Sequence, residues 1–261
     1  MKKSKFPAVI LILLIGVSSC LMFHSCNKST SSATSSDDSF VVTDEESYAA
    51  WSQVYGVTSL KRDGDYWVVT SNDLPNHKSV YYQNTPWQDS MYEPYTSSSF
   101  NSNNISIQEQ NLTFRIPAKP KAATVHQATP GGPIGIALNG VAFFNQYNGM
   151  GQKLGPEIQS FDQYNGHCAP VAHDYHYHVE PTYLTQTKGS DALLGFLLDG
   201  FPVYGPVENG KTITNSDLDA YHGHVGKTKE YPKGVYHYHI TSTDPYINGN
   251  GFYGTPGTVS H

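Results

Sequence analysis

The sequence predicts a mainly β domain, sandwich- or barrel-like, built from an internal duplication, with short helices and long loops. Three observations lead there. The tetrapeptide Tyr175-His176-Tyr177-His178 returns as Tyr236-His237-Tyr238-His239, each copy aromatic and followed by Val179 or Ile240, a strand signature. Shorter blocks upstream of each copy recur in the same order. The 23 glycines and 16 prolines cut the chain into short apolar runs, which suits many short strands joined by ordered loops.

In chain order, Thr43 and Glu46 have the spacing of a capping box, which predicts a short helix over Glu45 to Tyr55 ended by Gly56. Asp65 to Ser71 is the first strand candidate. Ile105, Ile107, Leu112, Phe114 and Ile116 alternate with period two around a polar break, and Pro117 closes the run. Leu138-Asn139-Gly140-Val141 and Leu198-Asp199-Gly200-Phe201 are apolar runs split by Asn-Gly and Asp-Gly, which predicts two hairpins with type I′ turns. Asp217 to Tyr221 is a short helix candidate.

The repeat is read block by block. Gly135 to Phe144 matches Gly195 to Tyr204 at an offset of 60, Asp162 to His167 matches Asp219 to His224 at 57, and the tetrapeptides match at 61. Insertions therefore fall between blocks, as in a duplicated unit whose loops have drifted. Repeat 1 spans 135–179 and repeat 2 spans 195–240. Two copies are too few for a solenoid. They predict one domain of approximate twofold symmetry, its histidine strands meeting near the axis.

Alternating strand faces put both histidines of a tetrapeptide on one side and both tyrosines on the other. Two imidazoles so placed can grip one transition-metal ion. Each repeat adds a histidine after glycine, giving His167, His176 and His178 in the first set and His224, His237 and His239 in the second. Three neutral imidazoles with an open position suit zinc and also copper. Gly166 and Gly223 are expected to let His167 and His224 reach back from loops and sit at the mouth of a pocket on which the four strand histidines converge. The alternatives are hydrogen-bonded core histidines or a metal-free acid–base role; two matching copies favour metal.

His77 is a further candidate that would complete a site. Asp162 and Asp219 recur five residues before their Gly-His histidines, either to receive the second N–H of a metal-bound imidazole or to cap a turn. Cys168 beside His167 is a weaker candidate, since Val225 stands in its place in the second repeat. His-Glu-x-x-His, Gly-x-Ser-x-Gly and P-loop patterns are all missing.

The ordered blocks Leu138 to Val141, Asp162 to His167, Tyr175 to His178, Leu198 to Pro206, Asp219 to His224, Tyr236 to His239 and Pro245 to Gly257 resemble the YHYH-domain family of extracytoplasmic proteins. Thr70 to His77 also resembles that family's entry segment, so the resemblance runs from about Tyr66 to Gly257. It implies a domain boundary and motif positions; it implies no reaction.

The N-terminus resembles a lipoprotein signal over residues 1–19: Lys2, Lys3 and Lys5, an apolar stretch from Phe6 to Val17, then small residues before Cys20. Cys20 is the expected lipidation site and Cys26 the alternative. Residues 20–38, rich in Ser and Thr, read as a disordered tether, and 39–261 as the β domain. Losing the three lysines with the signal takes the formal charge from −6 to −9. No basic cluster remains, which argues against nucleic acid as a partner. With only three cysteines there is no disulfide framework.

The expectation is therefore a protein anchored by lipid to a bacterial membrane, at the outer membrane or cell surface, that binds zinc or copper through its duplicated histidines. It is a metal-dependent hydrolase if the ion turns substrate over. The rivals are a non-catalytic copper or zinc binding or sensing protein, against whose Cu(I) version the scarcity of methionine speaks, and a glycan-binding or adhesion module with structural histidines. No feature of the sequence points to a protein partner.

Overall fold

A computed structural model describes residues 40–261. The expected export signal, Cys20, Cys26 and the expected tether lie outside the described residues. The first element is helix α1 (Asp44–Trp51), opened by the expected capping box: Thr43 Oγ1 accepts from Glu46 N and the Glu46 carboxylate accepts from Thr43 N. The helix stops at Trp51, four residues short of the expected end, and Gly56 is used in a turn packed on the Asn139 carbonyl.

Strands β1 (Ser59–Asp63), β2 (Tyr66–Ser71), β3 (Leu112–Pro117) and, from the C-terminus, β14 (Thr258–Ser260) form a four-stranded sheet in the order β1-β2-β3-β14. Trp67 and Val69 of β2 and Leu112, Phe114 and Ile116 of β3 point inward, as period two requires. Ile105 and Ile107 precede the strand instead of belonging to it. Trp51 lies between Trp67 and Phe196, its ring 4.0 Å from Phe196 and nearly parallel to it.

The second sheet holds the duplication. Its strands are β4 (Pro133–Ala137), β5 (Ala142–Phe144), β6 (Gly166–Cys168) and β7 (Tyr175–Tyr177) from repeat 1. Repeat 2 supplies β8 (Leu193–Leu197), β9 (Pro202–Tyr204), β12 (Gly223–Gly226) and β13 (Val235–His239). The order is β12-β13-β9-β8-β4-β5-β7-β6, which reads the same outward from the central β4–β8 pair in either direction. The pair directions match as well: β5–β7 and β9–β13 are parallel, while β6–β7 and β12–β13 are antiparallel. The outer strands β6 and β12 are open edges, so the fold is a two-sheet arrangement and not a closed barrel. A small hairpin, β10 (Val207–Glu208) with β11 (Lys211–Thr212), stands apart.

This order corrects the expectation that the histidine strands meet at the axis. Four strands separate β7 from β13, which at about 4.8 Å per step places them roughly 24 Å apart. The strands at the axis are β4 and β8, apolar throughout and buried on both sides.

The predicted hairpins form, with a different turn. Gly140 N donates to Ala137 O and Ala137 N to Val141 O; Gly200 N donates to Leu197 O and Leu197 N to Phe201 O. Only the glycines have positive φ, at 84° and 86°. That is the three-residue loop with glycine left-handed, whereas type I′ needs positive φ at two residues. A type I′ turn does occur at Asn209-Gly210, with φ of 50° and 76°, closing β10 onto β11. The short helix expected over Asp217 to Tyr221 is instead one 3-10 turn over Asn215–Asp217.

Candidate metal centres

The six sequence-predicted histidines gather in two clusters, one per repeat. His167, His176 and His178 form the first; His224, His237 and His239 form the second together with Glu208, and within each cluster the ligand atoms lie within 4.8 Å of one another. The expected single pocket is thus replaced by two sites, because the strands carrying them sit on opposite flanks of the sheet. A twofold through an antiparallel pair runs normal to the sheet and preserves faces, so both sites open on the same face.

His167 and His224 are strand residues, not loop residues. Each lies directly across from a tetrapeptide histidine: His167 opposite His176, and His224 opposite His237. Gly166 and Gly223 serve a different purpose from the one expected. Neither has positive φ; a Cβ at Gly166 would overlap the Tyr175 ring, and one at Gly223 the Tyr236 ring. The left-handed residues are their predecessors, Asn165 (64°) and His222 (78°).

Backbone acceptors fix the tautomers. Nδ1 of His176 donates to Asp174 O at 3.1 Å and Nδ1 of His237 to Val235 O at 3.0 Å. His178 Nδ1 donates to Asn145 O and His239 Nδ1 to Gly205 O, again equivalent positions. Ser160 gives its own proton to Glu157 O, so its Oγ accepts from His167 Nδ1 at 2.8 Å. A carbonyl can only accept, so in these five rings Nδ1 carries the proton and Nε2 presents a lone pair.

The Nε2 atoms converge. The His176 and His178 lone pairs face each other with 3.0 Å between the nitrogens, and His237 Nε2 lies 3.1 Å from His224 Nε2. Tetrahedral nitrogens at about 2.0–2.1 Å from a zinc ion lie roughly 3.3 Å apart. His167 Nε2 and His239 Nε2 are buried without a hydrogen-bond partner among the described residues. Burial holds His176, His237 and His239 near a pKa of about 4 and pushes His167 well down, so these rings are neutral at pH 7, the form that binds metal.

Carboxylates approach both clusters. Glu208 lies 3.4 Å from His224 Nε2 and 3.3 Å from His237 Nε2; Glu157 lies 3.4 Å from His167 Nε2, and burial raises its pKa. The sequence reading missed both. Comparison of the repeats had no access to them, since neither has a matching acid in the other copy. The Asn209-Gly210 turn was the available signal for Glu208: it pins that strand end beside the cluster.

The model of the family described as YHYH protein matches residues 113–213 and 207–251, together more than half of the 261 residues. The chain belongs to the YHYH protein family. No curated protein and no solved structure matches. The family match covers all six histidines, and it begins at residue 113, later than the resemblance from Tyr66 suggested.

The remaining candidates of this YHYH protein fall on the tyrosine side. Asp162 and Asp219 do not reach the imidazoles. Asp162 caps its turn through Tyr164 N and Gly166 N and accepts from Tyr175 OH; Asp219 does the same with Tyr221 N, Gly223 N and Tyr236 OH. Turn capping is therefore their role, extended to holding the tyrosines. His77 accepts from Tyr177 OH at 2.8 Å and joins neither cluster. Cys168 is buried, and burial raises its thiol pKa well up, which keeps it from ligand chemistry.

Proposed function

We propose that this YHYH protein is a lipid-anchored extracytoplasmic metalloprotein that binds one transition-metal ion, zinc or copper, in each half of its duplicated sheet. The observation that carries this reading is the facing of the His176 and His178 Nε2 lone pairs, 3.0 Å apart, in tautomers that backbone carbonyls impose, with His224 and His237 Nε2 placed alike at 3.1 Å in the other half. Two such lone pairs repel unless a cation or a proton lies between them. Burial makes protonation costly, which leaves a metal ion as the better counterpart. Three imidazoles suit both zinc and copper. Elemental analysis of protein purified from its native envelope tests this: two equivalents of one metal per chain are expected, and a protein free of transition metal after gentle purification and reloading would reject it.

The anchor is proposed at Cys20. Cys20→Ala is expected to release the protein from membranes. Wild-type fractionation of that variant, with loss from membranes in Cys26→Ala, moves the site to Cys26.

A second reading, metal-assisted hydrolysis, draws on the cleft of about 650 Å³ onto which His237, His239 and Glu208 open. An ion there would supply a polarised water. Turnover of the loaded protein on ester, phosphate or peptide panels separates it from storage or sensing.

A further inference from the structure

The two centres are built on equivalent strands but are covered differently. At the first, Phe144 stacks on His176 at 3.9 Å, and Phe161 lies parallel to His178 and 4.7 Å from His167. All three histidines are at most 2% exposed. The adjoining cavity is about 320 Å³, and no lysine or arginine lines it.

At the second centre the cover changes. By the repeat offsets Tyr204 corresponds to Phe144 and Leu218 to Phe161, and the Tyr204 ring lies 5.2 Å from that of His237. The Tyr204 hydroxyl donates toward Glu230 at 2.7 Å, so the aromatic cover becomes a polar wall. His224 is 28% exposed in its side chain, and His239 Nε2, itself buried and without a partner, faces the same cluster.

The charges of the cleft are unevenly committed. Glu208 is turned to His224 and His237, and Glu230 to Tyr204 and Gln53. Lys227 and Lys229 also line the cleft, as does Lys188, whose Nζ lies 5.0 Å over the Tyr55 ring, with Asp191 as the remaining acid. A divalent ion would retain one net positive charge after Glu208 and add it to these lysines.

We infer that the two centres are divided by role. The first is a covered centre that holds its ion and exchanges it slowly; the second exchanges its ion readily and takes a small oxygen anion, of the phosphate or carboxylate class, from the lysine-lined cleft. This rests on the metal-binding reading above. Phenylalanine rings crowd the approach to the first ion, whose cavity is about half the volume of the cleft and has no cationic side chain, while the second is reached through the larger polar cleft and the partly exposed edge of His224.

The test uses the full-length protein loaded with Co2+, whose visible absorption reports its ligands. Two ions per chain are expected, one released to EDTA at least about tenfold faster than the other. Inorganic phosphate and acetate, titrated separately, are expected to change the spectrum of the fast-released ion only, and the tighter of the two names the anion. His237→Ala with His239→Ala removes the fast phase and the anion response. Phe161→Leu, which puts the repeat-2 residue at this position of the first centre, speeds the slow phase while leaving the anion response in place; it needs no ligand removal, so it reads out even if histidine variants of the first centre fail to fold. Lys227→Ala with Lys229→Ala weakens the anion titration several-fold. Two ions released at one rate, or an anion response that survives His237→Ala with His239→Ala, overturns this inference alone. Binding of no Co2+ overturns the metal reading and this inference with it.

Discussion

Ile136 and Phe196 face each other across the central antiparallel pair, and each is the other's counterpart in the duplication. A residue can pair with its own repeat equivalent only where a twofold axis passes between them. The axis therefore runs between β4 and β8, and the strand order and histidine trio of one half recur on the far flank of the other.

Metal content follows from that separation. Wild-type protein is expected to hold two ions. His176→Ala with His178→Ala should leave one, His237→Ala with His239→Ala should leave one, and the fourfold variant none. Plasma emission analysis of dialysed protein decides it; loss of both ions from a single pair of substitutions would mean one shared site.

Asp162 acts on the fold and not on the ion. It accepts from Ser79, Tyr164 N and Tyr175 OH in a buried setting. Asp162→Ala leaves those donors unpaired and is expected to cost about 1–3 kcal/mol for the groups stranded. Denaturant titration should show that loss while the metal count of the folded fraction stays at two. A drop in metal without a drop in stability would return Asp162 to the site.

The pH dependence has two opposing parts. Burial raises the Asp199 carboxyl to about 6, so the unfolded chain ionises first; its contribution is complete below the ordinary carboxylate value and is lost as pH rises through 6. Burial lowers His77 to about 4, so its contribution is complete above 6.5 and is lost as pH falls toward 4. Asn139 already fills the Asp199 position in the other repeat. Asp199→Asn is therefore expected to fold and to flatten melting temperature against pH between about 4 and 6. His77→Gln should flatten the acid limb from 6.5 downward. Unchanged profiles in both variants would contradict these assignments.

Trp51 ties the helix to both sheets through Trp67 and Phe196. Its removal leaves a cavity that neighbours on two sheets cannot close. Trp51→Ala is expected to cost about 3–5 kcal/mol, measured by denaturant unfolding, and a loss below 1 kcal/mol would show that the stack contributes little.

The sequence by itself determined the duplication, the β class, the capping box at Thr43 and the identity of all six histidines. These are local or self-comparing signals: period two sets the face of a strand residue, and a repeated motif reports itself. It could not decide that His167 and His224 lie on strands, because the register that sets them across from His176 and His237 depends on where each edge strand docks. Nor could it choose between one pocket and two, since strand order is a property of the assembled sheet. Asp162 and Asp219 show the same limit: their spacing allowed a turn or a second bond to imidazole, and only the packing of Tyr175 and Tyr236 on Gly166 and Gly223 turned them away from the histidines. Glu157 and Glu208 lie outside the repeated blocks, and it is the tertiary fold, bringing a 3-10 turn to one flank and a hairpin to the other, that sets a carboxylate beside each trio of imidazoles.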